Sequence, residues 1–177
     1  RAPEPLAITK GRLLASAQRR AAIASIVPET LHERTLSVIH RASEDGYDLD
    51  RALQKFDGRT PAVVVVEAHD QVFGCFLGRV PTVNGRRRID TSLFCGERAF
   101  PLVARPDAGF INCKRTQSYL AVGLDAATGG AAFRIDADLA AGWSDASAPF
   151  GSPRLHGLEE GDFSVDDVEF YSLKPLW

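Results

Sequence analysis

The chain has 177 residues, of which 45% are hydrophobic and 25% charged, with a formal net charge of −2 at pH 7. A chain of this length and composition can bury a core as a single domain, which argues against an intrinsically disordered protein. The chain has 21 Lys and Arg residues and 23 Asp and Glu residues, so it lacks the basic excess that favours a nucleic-acid partner. The clearest apolar run, Ala62 to Val66, is far shorter than the roughly 20 residues that cross a bilayer, so we expect no membrane insertion.

The cysteines indicate a reducing compartment. Cys75, Cys95 and Cys113 are widely spaced, with no C-x-x-C pair and no dense disulfide pattern. We therefore expect a cytoplasmic protein. The chain begins with Arg1 and contains no methionine, so we also expect a piece of a longer protein.

The first part of the chain is predicted to be helical. The segment from Thr9 to Ile26 is rich in Ala, Leu, Arg and Gln, and Pro28 ends it. Its apolar positions recur at helical spacing: Leu13, Ala17, Ala21 and Ala24. We expect residues 1–24 to form a helical segment that packs on a main domain of residues 25–177.

A strand and a short helix follow. Thr35 to Ile39 alternates in the manner of a half-buried strand, and a turn at Glu44-Asp45-Gly46 ends this part. Asp48 is placed to cap a helix that ends near Asp57-Gly58.

From Pro61 onward, short β-rich runs alternate with turn residues, a pattern typical of an all-β sandwich or barrel. A tight hairpin is predicted at Ala68-His69-Asp70, and residues 136–167 are rich in loop residues. The predicted strands are Ala62–Glu67, Gln71–Leu77, Ile89–Phe94, Phe110–Lys114, Tyr119–Leu124, Ala131–Ile135 and Val168–Ser172.

The candidate catalytic and metal patterns are incomplete. Gly142-Trp143-Ser144 begins like a nucleophile elbow but lacks the second glycine, and Asp136-Ala137-Asp138 begins like a calcium loop but lacks the glycine at its sixth position. The four histidines stand singly, and we expect them at the surface or in turns: His32, His40, His69 and His156. We therefore expect no enzyme, no metal and no cofactor.

Two charged clusters are predicted to lie in solvent. The first is acidic and is interpreted as a solvated loop: Glu159, Glu160, Asp162, Asp166 and Asp167. The second, Arg86-Arg87-Arg88, is predicted to be an exposed hairpin tip or loop that, with Arg79, can contact an acidic protein surface. Cys75 lies between Phe73 and Phe76, so a buried structural thiol is expected there.

Several separated motifs resemble the TLDc domain family, in the family's order, from about Ser25 to Leu173. The turn at Gly46 resembles the family's glycine turn before a helix start, and Phe73-Gly74-Cys75-Phe76 resembles its V-F-G-A-F hairpin. The strand ending at Phe94 takes the place of the usual G-E-x-F-L-F strand, although the Gly-Glu pair is missing.

The second half of the chain continues the resemblance. Asp136-Ala137-Asp138-Leu139 with Gly142 and Ser144 resembles L-D-x-D-L-x-x-G-x-S, and Phe150 resembles the aromatic residue of T-F-G-N. Glu169 stands in a segment similar to the terminal V-E-V-W. Some members carry two cysteines in this region; Cys95 corresponds to one, and Ser147 replaces the other.

The resemblance implies an α+β, mainly β fold in which two antiparallel sheets pack as a sandwich with a few flanking helices. It also implies a non-catalytic domain that binds a protein partner, because TLDc proteins are linked to oxidative-stress resistance and to regulation of the vacuolar proton-pumping ATPase. Such a domain would be cytoplasmic and would meet an organelle membrane only through its partner. The alternative is a structural subunit of a large assembly that uses the same fold.

Overall fold

The computed structural model of the chain describes residues 6–9, 11–103 and 109–174. The strands in this part of the chain are β1 (Ala7–Thr9), β2 (Thr35–Arg41), β3 (Ala62–Ala68), β4 (Gln71–Leu77), β5 (Arg86–Arg87), β6 (Thr91–Cys95), β7 (Arg98–Pro101), β8 (Phe110–Arg115), β9 (Tyr119–Asp125), β10 (Ala131–Asp136), β11 (Ala141–Trp143), β12 (Asp162–Ser164) and β13 (Asp167–Lys174). The α-helices are α1 (Ala17–Ile26), α2 (Ala42–Asp45) and α3 (Leu49–Leu53), and a 3₁₀ turn spans Glu29–Leu31.

The strands form two sheets that lie against each other. The first sheet has the order β1-β2-β13-β3-β4-β6-β7, and the second has the order β12-β11-β10-β9-β8-β5. Neighbouring strands are antiparallel except for β1 and β2, which are parallel. The predicted mainly β sandwich is therefore confirmed, with one parallel pair at an edge of the first sheet.

One core fills the space between the sheets. Alternate residues of β4, among them Phe73 and Cys75, point into it and meet Val122 and Phe133 from the second sheet. Because side chains alternate across a strand, their neighbours on β4 point to the opposite face of the first sheet.

A second core covers that opposite face. Val63, Val65 and Tyr171 of the first sheet pack against Leu13 and Ile23, which come from the N-terminal segment and from α1. The first sheet is thus buried on both faces, which explains why β3 is an almost uninterrupted apolar run.

The first helix is shorter than predicted, and its buried stripe is different. It begins after Ser16, whose hydroxyl accepts the Arg19 N–H at 3.1 Å, so the prediction of a helix from Thr9 is wrong. The preceding backbone is not helical because its N–H groups bond to the side chain of Glu169. Ala17 and Ala21 are exposed, and the buried residues of α1 are Ala22, Ile23 and Ile26.

The remaining differences concern short elements. The β3–β4 hairpin turns at His69 and Asp70, both at positive φ as a two-residue turn requires, which confirms the predicted hairpin. Helix α3 begins as predicted, capped by Asp48, but ends at Leu53. The short strands β5, β7, β11 and β12 were not predicted, since two to four residues are too few to display an alternation.

Candidate functional site

The four aromatic motif residues fill the two cores. Phe73 is fully buried between the sheets, where its ring meets Phe163 edge to face with centroids 5.0 Å apart. Phe76 and Phe94 are buried on the other face of the first sheet. Phe150 is buried in the inter-sheet core, 6.3 Å from the ring of Phe110. These residues stabilise the fold rather than form a binding surface.

The glycine motif positions are set by backbone geometry and close packing. Gly46 ends α2 at φ +114°, a conformation that side chains disfavour. A Cβ atom at Gly74 would collide with the carbonyl oxygen of Val64 on the neighbouring strand. A Cβ atom at Gly142 would collide with the carbonyl oxygen of Arg134 and the ring of Phe163.

Ser144 is a buried connector. Its hydroxyl donates to the carbonyl oxygen of Ala132 at 2.7 Å and accepts the N–H of Leu155 at 2.9 Å. The side chain is fully buried, so the hydroxyl ties β10 to the loop that follows β11.

Glu169 is the centre of a buried polar network that joins distant parts of the chain. Its side chain is 0% exposed, and its carboxylate accepts the N–H groups of Arg12 at 3.1 Å and Leu13 at 2.6 Å. It also accepts Arg41 Nε at 2.8 Å and the Tyr171 hydroxyl at 3.0 Å. Burial and the neighbouring Glu169 charge raise the pKa of Tyr171, so this hydroxyl remains a donor.

The interpretation of Asp167 as part of a solvated acidic loop is wrong. Asp167 is the first residue of β13 and is buried, whereas Glu159, Glu160, Asp162 and Asp166 are exposed as expected. Burial by itself would raise the pKa of Asp167, but hydrogen bonds from Arg12 and Ser43 outweigh it and hold the pKa below its usual value.

Two histidines are not at the surface. His40 is fully buried, donates from Nε2 to the carbonyl oxygen of Gly46 at 2.8 Å, and packs edge to face on Phe170. His156 is also buried, beside Phe73 and Phe163. An isolated histidine in a sequence does not show whether it is buried, because a neutral imidazole can enter a core once its N–H group finds an acceptor, as it does in both residues.

The thiols lie where burial disfavours the thiolate. Burial raises the pKa of Cys113 to about 12 and raises the pKa of Cys75 well above its ordinary value. Cys95 is only partly buried; burial raises its pKa too, and its Sγ donates to the carbonyl oxygen of Leu155 at 3.0 Å. The expectation of a buried structural thiol at Cys75 agrees with this placement.

The predicted arginine loop is instead an edge strand. Arg86 and Arg87 form β5, which pairs with Lys114 and Cys113 of β8. Arg79 and Arg88 are exposed, and the side chains of Arg86 and Arg87 lie outside the described residues. Their contact with an acidic partner stays a prediction.

The outer face of the second sheet carries a row of aromatic and charged side chains, which we call the aromatic face: Lys114, Tyr119, Arg134, Asp136 and Trp143. The Arg134 guanidinium lies 5.7 Å from the ring centre of Tyr119 and 6.0 Å from that of Trp143. Lys114 Nζ lies 5.9 Å from Tyr119 on its other flank. The side chain of Arg134 is 31% exposed, so a partner could reach it.

Asp136 completes the aromatic face. Its carboxylate lies 3.4 Å from Arg134 Nε, and burial raises its pKa above the ordinary value despite this cation. Trp143 donates from Nε1 to Asp145 at 2.8 Å, which fixes the indole on the sheet. The face has no local signature in the sequence, because its residues come from four different strands.

An open groove of about 460 Å³ lies beside β9 and β10. Its acidic groups have local partners, since Asp125 accepts the Ala127 N–H at 2.9 Å and Asp145 accepts the indole of Trp143. Within the described residues, no group of three His, Cys, Asp or Glu side chains is placed to hold a metal ion. Nor does any helix in residues 6–9, 11–103 and 109–174 have the length and apolarity needed to cross a membrane.

These features define a β-sandwich domain of the α+β class whose motif residues hold its cores, its turns and one buried ion network together. The TLDc domain family matches residues 8–174, nearly the whole length, and the chain belongs to that family. No curated protein matches the chain significantly.

Proposed function

We propose that this domain is a non-catalytic, cytoplasmic binding module that regulates the vacuolar proton-pumping ATPase, and that it contacts its partner through the aromatic face. Membership of the TLDc domain family supports the class of function. The observation that carries the choice of surface is the partly exposed Arg134, which lies between the rings of Tyr119 and Trp143.

The polar groups inside the domain support a role without catalysis. Ser144 has both of its hydroxyl contacts within the backbone, and the carboxylate of Glu169 is enclosed by donors. Raised thiol pKa values keep Cys75 and Cys113 protonated near neutral pH, which removes the nucleophilic form. Ser144 and Glu169 would have to break these hydrogen bonds before they could react with a substrate.

The residue types of the aromatic face suit protein binding. Trp, Tyr and Arg are the residues most enriched among those that dominate the energy of protein interfaces. Stacking on two rings restrains Arg134, so less side-chain freedom is lost when a partner covers it. The face mixes Lys114 and Arg134 with Asp136, so its partner needs carboxylate groups opposite the two cations.

The test measures binding of the purified domain to the purified soluble sector of the vacuolar ATPase. Replacing Arg134 by Ala should weaken binding about tenfold, which corresponds to about 1.4 kcal/mol. Arg98→Ala is the matched control, because Arg98 also stacks on a ring, that of Phe100 at 4.8 Å, but lies on the first sheet. It should leave the dissociation constant within about twofold.

The outcomes separate the proposals. Binding that Arg134→Ala does not weaken would exclude the aromatic face, and the joint reversal Arg79→Glu and Arg88→Glu would then test the predicted arginine contact. Absence of binding by the wild-type domain at micromolar concentrations would exclude the ATPase as its direct partner. Recovery in a large assembly at fixed stoichiometry, without exchange against free domain, would favour the structural subunit.

A further inference from the structure

The segment of residues 160–164 closes one end of the sandwich and bridges the two sheets. Its strand β12 pairs with β11 of the second sheet, and the Ser144 N–H donates to the carbonyl oxygen of Gly161 at 2.8 Å. Just beyond it, the Asp166 N–H donates to the carbonyl oxygen of Glu67 in the first sheet at 2.8 Å. β12 is an edge strand that pairs only with β11 in its sheet. Side-chain contacts therefore contribute much of what holds this segment in place.

The first such contact comes from His156. Its Nε2 lies 2.7 Å from the carbonyl oxygen of Glu160, and because a carbonyl only accepts, Nε2 carries the proton. The side chain is 1% exposed and lies beside the rings of Phe73 and Phe163, at 6.5 and 5.2 Å. Its Nδ1 is buried and has no hydrogen-bond partner among the described residues.

The second contact comes from His69, at the turn between β3 and β4. Its backbone has φ +50°, and its Nε2 accepts the N–H of Ser164 at 3.2 Å. An imidazole nitrogen accepts only when it carries no proton. This contact therefore exists only for the neutral ring.

We propose that His156 and His69 form a proton-operated latch, which holds residues 160–164 against the end of the sandwich in neutral solution and releases them on mild acidification. Both rings bind the same short segment, and each does so in its neutral form. A proton on His69 Nε2 removes the acceptor of the Ser164 N–H, whereas a proton on His156 Nδ1 places a charged donor in an apolar site.

The charges around the latch favour its neutral form. Burial lowers the pKa of His156 and outweighs the carbonyl of Glu160, which would raise it; nearby His69 and Arg154 also lower the pKa, against the carboxylate of Asp162. The pKa is therefore lower in the folded than in the unfolded chain, which binds more protons as pH falls. The stability contributed by His156 is thus fully present above its ordinary pKa of 6.5, and it is lost as pH falls from that value through the lower pKa of the folded chain.

Release would change the edge of the second sheet. The Ser144 N–H and the carbonyl oxygen of Ala140, which now pair with Gly161 and Val165, would face solvent, and β11 would become the edge strand. An open strand edge can accept another strand. The latch does not depend on the proposed partner, because it follows from contacts within this chain.

Hydrogen exchange of backbone amides, corrected for the intrinsic effect of pH, tests the latch. Protection of the Ser144, Ser164 and Val165 amides should fall when pH is lowered from about 7.5 to about 5, by about tenfold for each unit by which the His156 pKa differs between the closed and open states. Amides that join β3 to β13 should keep their protection, because the pKa of Asp167 at the start of β13 lies below its usual value and therefore below this range.

The matched variant replaces both rings by glutamine, as H69Q/H156Q. A glutamine amide can donate to the Glu160 carbonyl and accept the Ser164 N–H, but it does not titrate. Protection in this variant should stay within about twofold over the same pH range. His32→Gln, a histidine bonded to the Val27 carbonyl elsewhere, should behave like the wild type.

Two outcomes would overturn the latch. One is unchanged protection of these three amides in the wild-type protein over the whole range. The other is an equal fall in wild type and H69Q/H156Q, which would place the titrating group elsewhere. His69→Gln alone serves if the double variant does not fold, because His69 is exposed and a glutamine amide can still accept the Ser164 N–H. The three amides should then still lose protection on acidification through His156, and unchanged protection would overturn the latch.

Discussion

Leu13 and Glu169 lie 156 positions apart, and the backbone N–H of Leu13 donates to the buried Glu169 carboxylate at 2.6 Å. This bond joins the N-terminal segment to β13, an inner strand of the first sheet. Leu13 and Leu14, both buried, then cover the outer face of that sheet together with α1. The carboxylate therefore positions the layer that covers the second core.

Glu169→Gln should destabilise the domain strongly. The amide keeps the shape of the side chain but removes its charge beside Arg41 and gives up one acceptor, and breaking a buried ion pair typically costs about 3–5 kcal/mol. Urea denaturation at neutral pH measures the loss. Glu44→Gln is the control, because Glu44 binds the same arginine but is 66% exposed, and its loss should stay below about 1 kcal/mol. Equal losses would mean that burial of Glu169 has no energetic consequence.

Gly74→Ala should destabilise the domain by about 1–3 kcal/mol or more, because the new methyl group meets the Val64 carbonyl oxygen on β3 and the hairpin must shift. Gly58→Ala is the matched change, since a Cβ there meets nothing within 4 Å. It should leave the thermal midpoint nearly unchanged. A tolerated Gly74→Ala would show that β3 and β4 can separate without cost.

Phe73→Ala should cost about 3–5 kcal/mol of unfolding free energy, since the ring is fully buried against Phe133 and Phe163 and its removal leaves a cavity. Chemical denaturation tests this loss. Tyr47→Ala, at an aromatic residue that is 46% exposed, should cost about 1 kcal/mol or less. A loss below about 1 kcal/mol at Phe73 would contradict the packing between the sheets.

The thiols should react with iodoacetamide in a fixed order at neutral pH. Cys95 is partly exposed and should be alkylated first, whereas Cys75 and Cys113 should react only on unfolding, because burial raises their pKa values and blocks access. Mass spectrometry of digests taken at successive times gives the order. Rapid labelling of Cys113 in the folded protein would contradict this placement.

The hydrophobic pattern of the sequence was enough to predict the central strands, and the family resemblance added the sandwich. Strand β4 has the predicted bounds, Gln71–Leu77, and the hairpin turn before it lies at His69 and Asp70. These elements are local, since a run of apolar residues between turn formers specifies a strand without reference to the rest of the chain. Helix α3 likewise begins at its own capping residue, Asp48.

Long-range contacts decided the rest. Residues 12–14 lie in the segment that was predicted to be helical but are not helical, and the N–H groups of Arg12 and Leu13 bond to the distant Glu169 carboxylate. Asp167 and His156 look like loop residues in sequence and become buried only when β13 and β12 reach their neighbours. The aromatic face depends on the register of β8 to β11, which places Arg134 opposite Trp143 and Ala121. Burial and register depend on residues that are distant in the sequence. Local sequence therefore determined the central strands, whereas tertiary structure decided which side chains meet.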